Sequence, residues 1–129
     1  ASANATAGVL EVNGKKQAFF SGHFTPAAEL PKGQVHYNTS VASMHSGANY
    51  DITRTELTAN FDSKKLTGTI SRDAKFGDNI AVNAQISGNK FEQSGATQVK
   101  GGFFGKNAAE VAGGFSNGNT VGAFVGSKK

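Results

Sequence analysis

The chain has 129 residues, which suits one small domain, and its 17 glycines are spread among short runs of Val, Ile, Thr and Phe. It contains no Cys, which excludes a disulfide scaffold, a thiolate metal site and a cysteine nucleophile. The formal charge of +4 comes from separated lysines and very few arginines, so we expect no nucleic-acid partner. No stretch approaches the roughly 18 apolar residues of a membrane helix, so we also expect no transmembrane segment.

The first predicted element is a β-hairpin. Two runs of alternating apolar and polar residues, Val9–Val12 and Lys15–Phe20, flank Asn13-Gly14, and Asn-Gly in this setting favours a type I′ turn. Both prolines of the chain follow shortly afterwards. We therefore expect three regions: an N-terminal segment with a hairpin (1–24), a linker loop (25–33) and a β-barrel (34–129).

Alternation with a period of two dominates the rest of the chain and predicts eight strands. They are expected at 34–44, 52–61, 64–72, 79–87, 90–96 and 98–104, then around Phe115, and finally where Val121, Ala123 and Val125 face inward. Small residues at predicted inward positions, such as Ala59, Gly68 and Ala123, suit the crowded interior of a small closed barrel. The predicted fold class is all-β, an eight-stranded antiparallel up-and-down β-barrel with an N-terminal hairpin.

One short helical turn is predicted before the last two strands. Asn107 is placed to cap it, Glu110 occupies the matching position of a capping box, and Gly113-Gly114 is expected to end it.

Two pairs of adjacent phenylalanines, Phe19-Phe20 and Phe103-Phe104, have a further consequence. One ring of each pair must point away from the barrel interior, because neighbouring side chains on a strand face opposite ways. That outer ring either packs beneath the hairpin, a loop or the helical turn, or forms an exposed patch that binds a partner.

Side chains that could support catalysis do not follow a catalytic spacing. His23, His36 and His45 match no metal-binding pattern, and no Gly-x-Ser-x-Gly sequence is present. Carboxylates such as Asp62, Asp73 and Asp78 mostly fall at predicted turns, where they are expected to bond to their own backbone. We predict that the protein is not an enzyme and has no catalytic residues and no metal site.

Five residues close together in the sequence have two interpretations, as possible ligands of haem iron or as ordinary packing and surface residues. They are His36, Tyr37, Met44, His45 and Tyr50. His, Met and Tyr all serve as axial ligands of haem iron, which makes haem a candidate cofactor. In the alternative interpretation, Tyr37 is a core aromatic, both histidines are solvated and Met44 fills a gap in the packing.

Several segments together resemble the eight-stranded barrel domain of transferrin-binding protein B. The resemblance covers roughly residues 30–128, and the Gly-Gly-Phe-Phe-Gly, Ala-x-Glu and Gly-Gly-x-Phe series is its most specific part. The segments that carry it are Leu30–Gly33 with the Val-His-Tyr strand, Leu57–Ile70, Ile86–Phe91, Val99–Phe115 and Val121–Lys128. In that family a handle domain usually precedes the barrel, and the hairpin looks like its last two strands.

This resemblance implies a non-catalytic binding protein, secreted by or displayed on the outer membrane of a Gram-negative bacterium. Its relatives include haemophilins, factor H-binding protein and the heparin-binding antigen. The implied partners are a host iron- or haem-carrying protein, or haem itself, together with a bacterial outer-membrane export or receptor protein. Candidate ligand-binding residues are Phe19, Phe20, His23, Met44, His45 and Tyr50.

Two other functions remain open. The barrel could be a scaffold that the export machinery recognises, while an upstream handle binds the ligand. It could instead bind a host complement regulator or a glycan.

Overall fold

A computed structural model describes residues 5–45, 50–71, 79–118 and 120–129, apart from the side chains of Glu11 and Tyr50. The predicted turn at 47–50 falls largely outside these ranges, and so do Arg72, Asp73 and Asp78. The described strands are β1 (Ala5–Val12), β2 (Lys15–Gly22), β3 (Gln34–Met44), β4 (Tyr50–Asn60), β5 (Lys65–Ile70), β6 (Ile80–Ser87), β7 (Lys90–Gln93), β8 (Thr97–Phe104), β9 (Glu110–Asn117) and β10 (Thr120–Lys128). Single 3₁₀ turns occupy Ala27–Glu29 and Lys106–Ala108.

Strands β3 to β10 form a closed barrel. Each strand pairs antiparallel with the next along the chain, and β10 returns to pair with β3. The predicted all-β, eight-stranded up-and-down barrel is therefore confirmed. Closure removes the open sheet edges that a sheet of this length would otherwise expose.

Strands β1 and β2 form a separate two-stranded sheet outside the barrel. Asn13 and Gly14 connect them with φ values of 53° and 78°, as a two-residue type I′ turn requires. The predicted hairpin is confirmed, and this turn also determines which residues of β1 and β2 face each other.

The barrel interior is filled by side chains that alternate along the strands. Phe103 is fully buried there, with its ring centroid 4.9 Å from that of Phe61, 5.4 Å from that of Phe91 and 6.1 Å from that of Tyr37. The predicted inward residues of β6 are all buried, and so are Leu66 and Ile70 of β5. The period of two therefore identified most of the core.

The prediction for β10 was wrong by one residue. Phe124 belongs to the barrel core, whereas Val121, Ala123 and Val125 lie on the other side of the strand, and Val125 packs with the residues beneath the hairpin. Gly122 is the small inward residue, since a Cβ there would collide with the Phe115 ring and the carbonyl of Ala42. Because the hairpin covers the outside of β10, both faces of this strand are apolar and alternation could not distinguish them.

The predicted single helical turn before the last two strands is confirmed, but its capping by Asn107 is wrong. Only Lys106–Ala108 form a 3₁₀ turn, Asn107 has φ 55° inside it, and no side chain caps its start. Glu110 already belongs to β9, where its buried carboxylate accepts a hydrogen bond of 3.0 Å from the backbone N–H of Ala5. A carboxylate that was assigned to a capping box therefore ties β1 to the barrel.

The glycines expected to end that turn lie within β9 instead. A Cβ on Gly113 would lie 2.5 Å from the carbonyl oxygen of Lys100 and 2.8 Å from the ring of the core residue Phe124. A Cβ on Gly114 would lie 2.8 Å from that of Ala18, so this glycine allows the hairpin to approach the barrel closely. Packing on both sides of the strand explains this glycine pair.

Tyr37 is the core aromatic that one of the two interpretations expected. It is fully buried, and its hydroxyl donates a hydrogen bond of 2.7 Å to the carbonyl of Ala108. Burial raises the pKa of the phenol well above its ordinary value, because the phenolate would lose its hydration.

We expect Tyr37→Phe to change how stability depends on alkaline pH. At neutral pH the variant loses one hydrogen bond, about 1 kcal/mol of unfolding free energy. Above the ordinary tyrosine pKa of about 10, the unfolded wild type gains stability by ionising Tyr37, which the folded state resists. Wild-type stability should therefore fall with rising pH more steeply than that of the variant. Urea denaturation of both proteins between pH 8 and pH 11 measures this, and parallel curves contradict the expectation.

Candidate functional site

The hairpin rests on the outside of β9 and β10 through its inner face. Ala5, Ala7 and Phe20 pack there against Phe104 and Ala112. The Phe104 ring is fully buried, 6.5 Å from the ring of Phe20 in an edge arrangement and stacked 4.6 Å from that of Phe24. The outward ring of the Phe103-Phe104 pair thus packs beneath the hairpin, one of the two outcomes that the sequence allowed.

The outer face of the hairpin carries three exposed apolar side chains. Leu10, Val12 and Phe19 keep 38%, 51% and 46% of their surface exposed. They share this face because Gly8 pairs with Phe19, Leu10 with Gln17 and Val12 with Lys15. A Cβ on Gly8 would lie 2.5 Å from the Phe19 ring, so this ring lies directly over Gly8. We call Leu10, Val12 and Phe19 the hairpin patch.

A groove runs along β2 between the hairpin and the outer wall of β7 and β8. It consists of two adjoining clefts of about 440 Å³ and 680 Å³, which share Phe20, Glu92 and Lys100. Phe24 and Lys90 line the first cleft, and the Lys90 ammonium lies 5.3 Å from the centroid of the Phe24 ring. We call the two clefts together the edge groove.

The segment after β2 fastens the hairpin to the end of β8. The N–H of Gly105 donates to the carbonyl of His23 at 2.9 Å, and the N–H of Thr25 donates to the carbonyl of Phe103 at 2.9 Å. The Thr25 hydroxyl donates to the carbonyl of Gly105 at 2.7 Å. The His23 side chain remains exposed at this end of the barrel.

His45 lies at the opposite end of the barrel, just after β3. It is buried, with 1% of its surface exposed, so its expected solvation is wrong. Its Nδ1 lies 2.9 Å from the Thr120 hydroxyl and its Nε2 lies 3.3 Å from a carboxylate oxygen of Asp51. Both ring nitrogens therefore have a protein partner. His36, by contrast, is solvated as expected, 3.0 Å from Glu56.

The structure does not bring the six candidate residues into one site. Met44 is half-buried near the Thr120 end of the barrel, whereas His23 lies near the Gly105 end. Only Phe19, Phe20 and His23 belong to the hairpin region, and the side chain of Tyr50 lies outside the described residues.

The positions of His23 and His45 test whether the two histidines could hold a haem together. His23 and His45 cannot ligate one iron from opposite ends of the barrel, and His45 would have to give up its contact with Thr120 or with Asp51 to bind an iron ion. Within the described ranges, no group of three or more His, Asp or Glu could hold a metal ion. The residues present do not fit a haem held by both histidines, and the binding roles of the six residues stay a prediction.

Sequence reasoning missed several residues of these surfaces. Leu10 and Val12 could have been found, because the two-residue turn places them on the same face as Phe19. Lys90 and Lys100 had no comparable signal, since strands distant in sequence bring them beside β2. Phe24 follows β2 directly, but its stacking on Phe104 is a long-range contact.

Comparison with known proteins identifies the fold. Residues 6–129 match the family described as the C-lobe and N-lobe beta barrels of Tf-binding protein B. No curated protein sequence matches the chain.

Three solved structures with this fold are each longer than the chain. The haemoglobin receptor HpuA from Kingella denitrificans is 22% identical, with a TM-score of 0.81 over 99% of this chain and 55% of the receptor. Transferrin-binding protein B from serogroup B Neisseria meningitidis is 20% identical, with a TM-score of 0.72 over 99% of this chain and 32% of that protein. A variant of transferrin-binding protein B from Haemophilus parasuis Hp5 is 25% identical, with a TM-score of 0.67 over 97% and 32% of the two chains.

The chain spans about half of the receptor and about a third of these two transferrin-binding proteins. In the part of the chain that is described, no helix has the length and apolar character needed to cross a membrane. The match covers the hairpin as well as the barrel, and the family's description is of beta barrels, as the closed sheet of this chain is. The chain therefore belongs to the β-barrel family of transferrin-binding protein B.

Proposed function

We propose that this protein is a non-catalytic binding module of a Gram-negative surface or secreted protein and that it captures a host iron-carrying protein. Family membership supports this class of function, because the relatives are named for binding transferrin or as a haemoglobin receptor. Host transferrin and haemoglobin are the partners to test first.

The observation that carries the proposal is the exposed hairpin patch. Phe19, Leu10 and Val12 are all exposed on one face, and a cluster of apolar side chains surrounded by polar ones is typical of protein interfaces. Lys15 and Gln17 lie on the same face and supply such a polar rim. Phe19 is an aromatic side chain of the kind that dominates binding energy at interface centres.

We expect Phe19→Ser to weaken binding to the host protein by roughly 30-fold, the effect of losing about 2 kcal/mol at an interface centre. Immobilised chain is titrated with human transferrin, with haemoglobin, and with haemin followed by its Soret band. Ile52→Ser is the matched control, because Ile52 is 67% exposed but belongs to the barrel strand β4. Equal losses in both variants contradict a role for the hairpin patch.

The same experiment separates the remaining alternatives. A Soret band that is lost in His23→Ala assigns haem itself as the ligand, since His23 is exposed beside Phe24. Binding by a longer version of the protein but not by this chain indicates that the barrel is a scaffold or an export-recognition domain. Retention of a complement regulator or a glycan from serum, without transferrin or haemoglobin, replaces the proposed partner.

A further inference from the structure

The outer edge of β2 is open along the edge groove. Among the described strands, β2 pairs with β1 alone. A two-residue hairpin turn hydrogen-bonds the residues that flank it, here Val12 and Lys15, and the pairs then alternate along the strands. Gln17 and Phe19 therefore direct their backbone groups to β1, and Ala18 and Phe20 direct theirs to the open edge.

The chemistry of the edge groove favours a particular kind of strand. The lysines Lys90 and Lys100 line it, and Glu92 is the one carboxylate among the described side chains there. Glu92 lies 3.5 Å from Lys100, and both side chains are largely exposed, so this surface pair leaves the groove cationic. Phe20 supplies an apolar wall beside them, and the clefts provide space along several residues of β2.

We infer that the open edge of β2 binds an extended segment of a partner protein in which acidic and apolar residues alternate. Such a segment adds a strand to the hairpin, and its backbone pairs with Ala18 and Phe20. Side chains on one face of the added strand then point to the lysines of the groove, and those on the other face lie beside Phe19. The inference goes beyond the proposed function, because it concerns a different surface and holds for any protein partner with such a segment.

Charge argues against a second copy of the chain as the occupant. Two β2 edges paired with each other would bring two lysine-lined grooves together without added carboxylates. An acidic strand instead removes this repulsion and supplies the backbone donors and acceptors that the edge lacks.

The test uses a fluorescent peptide of about ten residues in which Glu and Val alternate, a length that spans a typical strand. A peptide with Lys in place of Glu is its control. We expect the acidic peptide alone to bind and to slow hydrogen exchange at the amides of Ala18 and Phe20. The amide of Gln17, which already bonds to β1, should change little.

Two substitutions separate strand addition from general charge attraction. Lys100→Glu should weaken peptide binding about fivefold or more, and Lys128→Glu, outside the groove, should leave it within about twofold. Ala18→Pro removes the N–H that the added strand needs and is compatible with an edge strand, so it should abolish binding. If this variant does not fold, the exchange of the Ala18 amide decides the same point.

Other occupants of the groove would give different results. Protection of the Ala18 amide that rises with protein concentration, without peptide, assigns the groove to a second copy. If the Ala18 amide is already fully protected in a longer version of the protein without peptide, the occupant of the groove is an upstream segment of the same chain. Either result overturns the inference, and so does equal weakening by Lys100→Glu and Lys128→Glu. If the wild-type chain does not bind the acidic peptide but still captures transferrin or haemoglobin, the inference is overturned and the proposed function is unaffected.

Discussion

Phe103→Ala is expected to lower the free energy of unfolding of the barrel by about 3–5 kcal/mol, the range for removing a buried phenylalanine ring. The ring is fully buried, with three aromatic neighbours whose ring centroids lie between 4.9 and 6.1 Å away. A small domain has a total stability of only about 5–15 kcal/mol, so much of the variant should unfold under mild denaturation.

Urea denaturation followed by near-ultraviolet circular dichroism measures this loss. Phe19→Ala is the matched control, because it removes the same ring from a position that is 46% exposed. We expect that variant to change stability by about 0.5 kcal/mol or less. A loss below about 1 kcal/mol in Phe103→Ala would show that the core relaxes to fill the space.

Phe104→Ala should release the hairpin and leave the barrel folded. Phe104 lies on the opposite side of β8, where its ring is buried against those of Phe20 and Phe24. An isolated two-stranded hairpin is marginally stable at best, so its structure depends on this contact with the barrel. Losing about 3 kcal/mol of contact should raise the population of the detached hairpin by roughly 100-fold.

Hydrogen exchange resolves this effect residue by residue. The amides of Gln17 and Phe19, which bond to β1, should exchange faster, whereas those of Val82 and Ala84 in β6 should change little. Trypsin should also cleave more readily after Lys15 and Lys16. Equal acceleration in the hairpin and in β6 contradicts separate release and shows that hairpin and barrel unfold as one unit.

Much of the fold could be predicted because it depends on local geometry. A strand turns successive side chains to opposite faces, so alternation alone placed Tyr37, Leu57 and Ile86 in the core. The same rule separates Phe103 from Phe104. The β10 strand was misread because the hairpin makes its outer face apolar as well, and that cover is a long-range contact.

Less of the candidate site could be predicted. The sequence places Met44, His45 and Tyr50 together, yet Met44 is half-buried whereas His45 is buried beside Asp51 and Thr120. Local sequence cannot show that Thr120, 75 residues away, lies 2.9 Å from this histidine. The separation of His23 from His45 likewise follows from long-range contacts, because His23 is bonded to Gly105 at one end of the barrel and His45 contacts Thr120 at the other.

The sequence by itself determined the period of the strands, the hairpin at Asn13-Gly14 and the shared face of Leu10, Val12 and Phe19. Each of these depends on backbone geometry within a few residues or on the register that a two-residue turn imposes. Only the tertiary structure decided that Phe104 is covered, that Glu110 binds the N–H of Ala5, and that β2 borders a cationic groove. Those features depend on where the hairpin rests on the closed barrel, and that position results from side-chain packing between distant segments.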